Sequence, residues 1–511
     1  MTSETPTREQ QLEARIQQLE SMVNQLSGQV QQINTAAAAG SAPSAAAIAE
    51  GPARAGTADG GGLSTPGGMS SGAPALPSRS GGLNAPGQSL PPNPSVSSRF
   101  DSPATLENHP GKVNFGPGFQ IRTDDEEFIF QFHDLTQFEY RGYEQGGQTT
   151  VKDGFLFPRQ WFMFSGRISK PIGYFLSLAE GFDTTNILDV FVDFNMSPKF
   201  SIRAGRYKTP FTYEFLVEPI QGLIIPERSL FFNNFGQNRD LGVMAYGRLF
   251  DNKFDYAAGI FNGTRNGFVP INDSKSISAF MNYRPFADEE ETLLENFNIG
   301  GSVFAAQGLG QNLPVPPTLR TTVATSGNSV VGIPFLTYNN NVRESGSRAF
   351  WDLHMAYFYQ SLAIISEWQS GYQDYSISGS PQNRTHLPVE SWYIQAGYLL
   401  TGETRSSVGI VKPLHPFDIT GKTPGLGAWE VVGRYDYLGM GNQVFTNGLA
   451  DRNDYTNSLY MTDIGFNWHM TQYVKFYFDW QHAVFGEPVL FAPDRRQKTS
   501  DMFMLRMQLY Y

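Results

Sequence analysis

Regular alternation of apolar and polar side chains dominates the sequence from about residue 115 to the end. Between Trp351 and Tyr359, one parity carries Trp, Leu, Met, Tyr and Tyr, and the other carries Asp, His, Ala and Phe. The same period of two recurs at 429–437, 462–468, 474–481 and 503–511. Alternation over about ten residues, with aromatic residues at the ends of the apolar face, is typical of a transmembrane β-strand. The pattern therefore predicts β-strands with one apolar and one polar face.

The strands of a soluble β-sandwich or barrel show the same alternation of apolar and polar residues. The lengths of the connections between strands therefore decide between a soluble protein and a transmembrane barrel. Tight connections, at 170–171, 197–198, 251–252, 360–361 and 470–472, alternate with long ones. Two connections on the side of the short turns, 285–295 and 402–426, are longer than this pattern predicts. Short periplasmic turns with long outer loops are typical of outer-membrane barrels, and a soluble interior could not hold so many aromatic side chains. We predict an all-β fold, a transmembrane antiparallel β-barrel of about sixteen strands.

The predicted strands can be placed individually along the chain. They begin near residues 126, 155, 172, 187, 199, 240, 253, 276, 296, 348, 362, 391, 427, 458, 473 and 501. A barrel of this size encloses an aqueous channel rather than a packed core.

Composition further limits the fold classes and functions that the chain can have. Only 17% of residues are charged, against about a quarter in soluble domains. The chain has no cysteine, which excludes disulfides and thiolate catalysis, and its net charge of −11 argues against a nucleic-acid partner. No apolar run approaches the roughly 18 residues of a membrane helix, so a membrane role requires a barrel.

The N-terminal region 8–35 has a different repeat. Its apolar residues are spaced alternately by four and three, as in a coiled coil: Leu12, Ile16, Leu19, Val23, Leu26, Val30 and Ile33. Since the other positions are polar, we predict an oligomerisation helix, with a lone amphipathic helix as the alternative. β-branched residues at a with Leu at d favour dimers in isolation.

A linker separates this helix from the barrel. Residues 36–114 are rich in Ala, Gly, Ser and Pro, which predicts a disordered segment, with the barrel domain occupying 115–511. An outer-membrane barrel needs a cleaved export signal, and Met1-Thr2-Ser3-Glu4 has neither a basic nor an apolar region. We therefore expect that the sequence begins after cleavage or that Met1 is an internal or added start.

Several motifs in the barrel region resemble the phosphate-selective porin O/P family of Gram-negative outer membranes. They occur in the family's order: Gly205-Arg206-Tyr207-Lys208-Thr209-Pro210-Phe211, Glu227-Arg228-Ser229, Arg239-Asp240-Leu241-Gly242, Leu400-Thr401-Gly402-Glu403-Thr404-Arg405 and Gly427-Ala428-Trp429-Glu430. The resemblance implies a sixteen-stranded homotrimer in outer-membrane lipid, with loop three folded into the lumen as a constriction. The strand count places loop three at 209–238, between strands five and six, and the N-terminal segment is expected in the periplasm.

Two sets of residues are candidates for the channel. The constriction candidates are cations on strand five, Arg203 on its polar parity and Arg206 and Lys208 past the hydrocarbon edge, together with Arg228 and Arg239 in or beside loop three. The lumen candidates lie on the polar parity of later strands: Asp352, His354, Glu367, Glu430, Arg434, Asp436, Asp463, Lys475, Asp479 and Arg506. A cationic patch would attract anions such as phosphate. Alternatively, the arginines pair with Glu214, Glu218, Glu227 and Asp240 and hold the loop.

Because the lumen charges are mixed and no arginine-rich ladder is present, a passive channel for small hydrophilic solutes fits better than a dedicated phosphate channel. The seven histidines show no metal-ligand spacing, so we expect neither an enzyme nor a cofactor. The second hypothesis is structural, a barrel that anchors the coiled coil and links the outer membrane to the cell wall or a periplasmic partner.

Overall fold

The computed structural model describes residues 111–144, 151–180, 185–289, 292–322, 324–326, 329–378, 383–492 and 495–511. The predicted coiled-coil helix, and the predicted linker up to residue 110, lie outside these ranges. Within them, no helix has the length and apolarity to cross a membrane.

The described chain is built almost entirely from β-strands. In chain order they are β1 (Gly111–Gly116), β2 (Gly118–Thr123), β3 (Ile129–Tyr143), β4 (Gly154–Ser169), β5 (Ile172–Glu180), β6 (Thr185–Ser197), β7 (Phe200–Lys208), β8 (Arg239–Leu249), β9 (Phe254–Phe261), β10 (Ser276–Tyr283), β11 (Asn296–Asn312), β12 (Thr318–Arg320), β13 (Ala324–Ser326), β14 (Ser329–Val331), β15 (Pro334–Thr337), β16 (Val342–Tyr359), β17 (Leu362–Ile377), β18 (Arg384–Leu399), β19 (Ala428–Met440), β20 (Ser458–His469), β21 (Val474–Ala492) and β22 (Arg495–Tyr510).

Sixteen of these strands, β3–β11 and β16–β22, form one closed antiparallel barrel. Each strand pairs with the next one along the barrel, and β22 returns to β3 with Arg506 opposite Glu139. Closure leaves no unpaired edge in the bilayer, where free N–H and C=O groups would be costly. The prediction of a sixteen-stranded barrel is confirmed.

The alternation of the sequence sets the two faces of the wall. On β16, Trp351 and Leu353 are 41% and 59% exposed and point outward, whereas Asp352 and His354 are 2% and 3% exposed and point inward. The apolar parity is thus on the outside, which is the reverse of a soluble β-barrel and suits contact with lipid.

Loop three, residues 209–238, connects β7 to β8 and contains short helical turns. They are α1 (Tyr213–Leu216), a 3₁₀ turn (Ile220–Gly222) and α2 (Leu230–Phe235). Ser229 begins α2, where its hydroxyl accepts a hydrogen bond from the Phe232 amide at 3.2 Å. A further helix, α3 (Gln443–Thr446), lies in the connection between β19 and β20.

Loop three packs inside the barrel, in apolar contact with wall and loop residues. The rings of Phe231 and Phe235 lie 5.5 and 6.1 Å from the ring of Phe350 on β16. The same buried cluster includes Phe335 and Val444 from the loops before β16 and β20. Loop three is therefore enclosed by side chains rather than free in the lumen.

A hairpin of β1 and β2 extends the wall below the end of β22. Tyr511 and Asp134 exchange backbone hydrogen bonds of 2.6 and 2.9 Å, and β2 then continues the pairing with β3 as far as Ile129. The hairpin begins at Gly111, before the boundary predicted at residue 115. Its strands have too few residues for a clear alternation, and the first predicted strand begins only near residue 126.

The outward face can be tested at Leu353, near the middle of β16. Leu353→Arg should lower the free energy of unfolding by about 2 to 4 kcal/mol, because a cation near the bilayer midplane must leave water. Urea titration of the barrel in phospholipid vesicles measures this, with Leu353→Ala as the control for lost side-chain volume. Equal destabilisation by the two variants would contradict an outward, lipid-facing position.

Candidate functional site

The first turns of the loop-three helices point at carboxylates of the barrel wall. Glu367 on β17 accepts hydrogen bonds from the amides of Tyr213 and Glu214 at 2.9 and 2.6 Å. Asp436 on β19 accepts from the Leu230 amide at 2.7 Å. The first amides of a helix have no partner within it, so these carboxylates satisfy donors that would otherwise be buried and free.

The next part of loop three is held through its carbonyl oxygens, which accept hydrogen bonds from wall side chains. Lys475 donates to Leu223 at 2.7 Å and Asn467 donates to Ile224 at 2.9 Å. Further donors are Gln508 to Gln221 at 2.9 Å, Arg506 to Pro226 at 2.7 Å and Arg434 to Glu227 at 2.7 Å. Loop three is therefore attached to several strands around the interior.

Glu227 of loop three is the centre of a buried ionic cluster. Arg159 on β4 binds both of its carboxylate oxygens, at 3.1 and 2.6 Å, and Arg506 on β22 contacts it as well. Arg506 also contacts Glu139 on β3, across the line where the barrel closes. Burial raises the pKa of Glu227, but the charges of Arg159 and Arg506 outweigh burial and lower it to about 2. Glu227 is therefore ionised at neutral pH.

Three of the predicted constriction cations surround one aromatic ring. The cationic groups of Lys208, Arg228 and Arg239 lie 5.0, 5.6 and 5.9 Å from the ring centre of Phe215 in α1. We call these four residues the Phe215 cluster. Lys208 donates to the Phe215 carbonyl at 2.6 Å, Arg228 donates to the Glu218 carbonyl at 2.9 Å, and Arg239 pairs with Asp189 at 3.0 Å.

The other two constriction candidates lie against the neighbouring wall. Arg203 forms a bidentate pair with Asp193, at 2.7 and 2.8 Å, and stacks on Phe191. Arg206 donates to the backbone carbonyls of Leu188 and, at 2.9 Å, of Asn266. All five candidates are at least 97% buried, so each acts through partners close by.

Two of the acidic residues expected as partners of these arginines, Asp240 and Glu214, also accept hydrogen bonds from backbone amides. Asp240 accepts from the amides of Gly263 and Thr264, at 2.5 and 3.1 Å, in the loop after β9. Glu214 accepts from the Ser229 amide at 3.0 Å and so connects α1 to the start of α2. Arg159, Glu139 and Arg141, which pairs with Glu139 at 2.6 Å and lies 3.7 Å from Glu227, were not among the predicted residues. The alternation along β3 and β4 could have identified them, because all three lie on the inward-facing parity of these strands.

The lumen candidates all lie on inward-facing positions and are at least 94% buried. The structure brings some of them together. Asp352 and His354 approach to 3.5 Å, and Arg434 pairs with Asp463 at 3.0 Å. Glu430 accepts from His469 at 3.1 Å. Glu367, Asp436, Lys475 and Arg506 instead contact loop three directly.

The long connection between β18 and β19, residues 400–427, approaches loop three from the other end of the barrel. Arg405 pairs with Glu430 at 2.7 Å, and Val408 is buried in one apolar cluster with Ile224. The backbones are so close that a Cβ on Gly222 would lie 2.7 Å from the Cα of Gly409. The sequence indicated the unusual length of this connection but not its contact with loop three.

The arrangement is suited to holding a loop in a charged passage rather than to bond chemistry. In the part of the chain that the structure describes, no group of three His, Asp or Glu side chains could hold a metal ion. The buried charges are arranged as ion pairs and as hydrogen bonds to loop backbone.

Removing the charge of Glu227 should loosen loop three. Glu227→Gln leaves Arg159 and Arg506 buried without this carboxylate, and loss of one partner of a buried ion pair costs on the order of 3 to 5 kcal/mol. Hydrogen–deuterium exchange should therefore accelerate between residues 220 and 230. Glu126→Gln, which removes a partly exposed ion pair with Arg122, should leave this exchange unchanged. Unchanged exchange in Glu227→Gln would contradict the role of the cluster.

Glu218 should make loop three sensitive to pH. Burial raises its pKa to about 8, so the folded loop holds a proton that the unfolded loop releases near pH 4.5. This contribution to stability is complete below about pH 4.5 and is lost as the pH rises through about 8. Exchange of the loop amides should therefore be faster at pH 9 than at pH 5 after correction for intrinsic rates. Glu218→Gln should flatten this dependence, and an unchanged slope would contradict it.

Comparison with known proteins places this site in a family. The family model described as phosphate-selective porin O and P matches residues 134–510. No curated protein sequence matches the chain. Similar solved structures include the anion-selective porin from Comamonas acidovorans, at 10% identity and a TM-score of 0.44, covering 75% of this chain and 100% of that one. The outer-membrane channel DcaP of Acinetobacter baumannii has 7% identity and a TM-score of 0.45, covering 76% and 99%.

The family match covers most of the barrel, from β3 to β22. Members of this family are channels of the Gram-negative outer membrane and not enzymes. The chain belongs to the phosphate-selective porin O and P family and is an outer-membrane channel for small solutes.

Proposed function

We propose that the chain forms a passive, water-filled pore for small hydrophilic solutes, and that loop three is its constriction. The observation that carries the proposal is the attachment of residues 209–238 to side chains from β11 to β22 inside the barrel. A segment that is fixed at many points around the interior narrows the passage permanently, without any input of energy. Solutes then move down their own gradients.

Anions are the favoured solutes in this proposal, with phosphate as one of them. Arg206 donates to the backbone carbonyl oxygens of Leu188 and Asn266, which satisfy its N–H groups without cancelling its charge. Together with the arginines of the Phe215 cluster, Arg206 produces a positive potential beside loop three, and such a potential raises the local concentration of anions. The mixed charges elsewhere in the lumen favour a general channel over one restricted to phosphate.

The proposed assembly is a homotrimer, as the resemblance to the family implies. The predicted heptads between Leu12 and Ile33 support association of several copies. The tight turns would then face the periplasm, together with the N-terminal segment.

The structural anchor is kept as a second candidate because of the dense packing in the lumen. Phe231, Phe335 and Val444 belong to one buried cluster on the long-loop side, so loop three is tightly enclosed there. An anchor tolerates a plugged barrel, whereas a porin must conduct. Its partner would be the cell wall or a periplasmic protein reached through the coiled coil.

Single-channel recording in planar bilayers tests the choice between channel and anchor. Purified protein should give stable conductance steps, and a KCl gradient should give a reversal potential of the sign expected for anion preference. Absence of current from folded, inserted protein would overturn the porin proposal and favour the anchor.

Arg228→Met tests the origin of the selectivity. It removes one charge of the Phe215 cluster and should lower the chloride-to-potassium permeability ratio by roughly twofold to tenfold, because summed charges set local potentials of several kT. The control is Lys112→Met in the hairpin, whose side chain is largely exposed. An equal ratio in the two variants would show that the Phe215 cluster does not set selectivity.

A further inference from the structure

The connection between β18 and β19 passes from the lumen over the rim of the barrel to its outer surface. Its first part contacts loop three, where Val408 is buried. Its second part lies against the outer wall, where the ring of Phe417 packs edge-on against the ring of Trp468 on β20, with the ring centres 5.2 Å apart. We call this second part, residues 414–426, the rim loop.

The wall beside the rim loop carries outward-facing tryptophans. Trp468 lies between the buried, inward-facing Asn467 and His469, and it stacks on Trp429 of β19 with the ring centres 5.6 Å apart. The indole N–H groups of Trp429 and Trp468 both donate to the carbonyl of Leu426, at 3.2 and 2.8 Å. Tryptophans at the end of lipid-facing strands mark the level of the lipid headgroups. The rim loop therefore meets the wall at the edge of the bilayer.

The outer part of the connection exposes large aliphatic side chains. Leu414, Ile419 and Leu426 are 55%, 81% and 73% exposed, and Leu400 at the end of β18 is 61% exposed. Val408, in the part of the same connection that enters the lumen, is only 8% exposed. A single exposed aliphatic residue is ordinary, but a group of them beside an aromatic girdle marks a contact surface.

Hydrogen bonds give the rim loop a defined shape. Its two ends meet where the amide of Gly427 donates to the carbonyl of His415 at 2.9 Å. At its tip, the carboxylate of Asp418 accepts from three backbone amides between residues 420 and 423, at 2.8, 3.0 and 2.9 Å. Because the tip is held in this way, the exposure of Ile419 is a property of a folded loop rather than of a loose chain.

Lipid is the surrounding that fits the exposed side chains of the rim loop. The loop continues the lipid-facing surface of β19 and β20, to which Phe417 and Leu426 attach it. Aliphatic side chains in water at this level would lose the burial that neighbouring acyl chains offer. The exposed Lys412 and Lys422 suit the same position, because a lysine can lay its alkyl chain on an apolar surface while its ammonium group reaches a headgroup phosphate.

We propose that the rim loop inserts into the membrane leaflet on the side of the tight turns, with Leu414, Ile419 and Leu426 among the phospholipid acyl chains. The lipid-contacting surface of the chain then extends beyond the barrel wall. Because the same connection reaches loop three inside the barrel, insertion of its outer part helps to hold its inner part in the lumen. The inference concerns membrane contact and does not depend on whether the barrel conducts.

Spin labelling of the full-length protein in phospholipid vesicles tests the insertion. The chain has no cysteine, so Ile419→Cys gives a single label site. The ratio of its accessibility to lipid-dissolved oxygen over a water-soluble nickel chelate should be several-fold higher than for Asn453→Cys, an exposed site in the connection between β19 and β20. Leu353→Cys, outward on β16, provides the value for a lipid-facing position. A ratio equal to that at 453 would overturn the proposal, as would shielding from both reagents, which would indicate a protein contact instead.

Ile419→Ser gives a second test that leaves the barrel wall undisturbed. Hydrogen–deuterium exchange of the amides at 420–423 in phospholipid nanodiscs should accelerate roughly tenfold or more, because the variant loses an aliphatic side chain buried in lipid. The matched control is Ile271→Ser, at a 45% exposed site in the loop between β9 and β10, which should leave exchange of its own neighbouring amides unchanged. Unchanged exchange at 420–423, or equal acceleration around the two sites, would overturn the proposal.

Discussion

The buried contact of Arg506 with Glu139 and Glu227 joins two features that are otherwise separate. Glu139 belongs to the first wall strand and Arg506 to the last, so their pair lies on the line where the barrel closes. Glu227 belongs to loop three and shares the same guanidinium. Since an unpaired charge in this position would be costly, the closed wall and the placed loop stabilise each other.

The rest of loop three is also held by matching of opposite charges, here between side chains of the wall and the backbone of the loop. Where the loop presents backbone amides, at the starts of α1 and α2, the wall supplies Glu367 and Asp436. Where the loop presents carbonyl oxygens, the wall supplies donors such as Lys475. The mixed charge of these wall side chains thus has a local cause, because Glu367, Asp436 and Lys475 each match the loop group that they contact.

Prediction from the sequence succeeded where the information is local. The period of two gave sixteen strands and their approximate starts, and it separated Asp352 from Leu353 correctly. The period of two could not predict the partners of Glu227, because Arg159 and Arg506 come from strands that are far apart in the sequence. It also missed the approach of Gly409 to Gly222, since that contact depends on the path of two loops rather than on a repeat.

Exceptions to the alternation carry information that the alternation itself cannot. Along β16 the outward parity is apolar, which is all that lipid contact requires. At Asp134 and Thr136 on β3 and Gln160 on β4 the outward parity is polar, yet each of these side chains forms a hydrogen bond with another of the three, so outward polar groups satisfy one another.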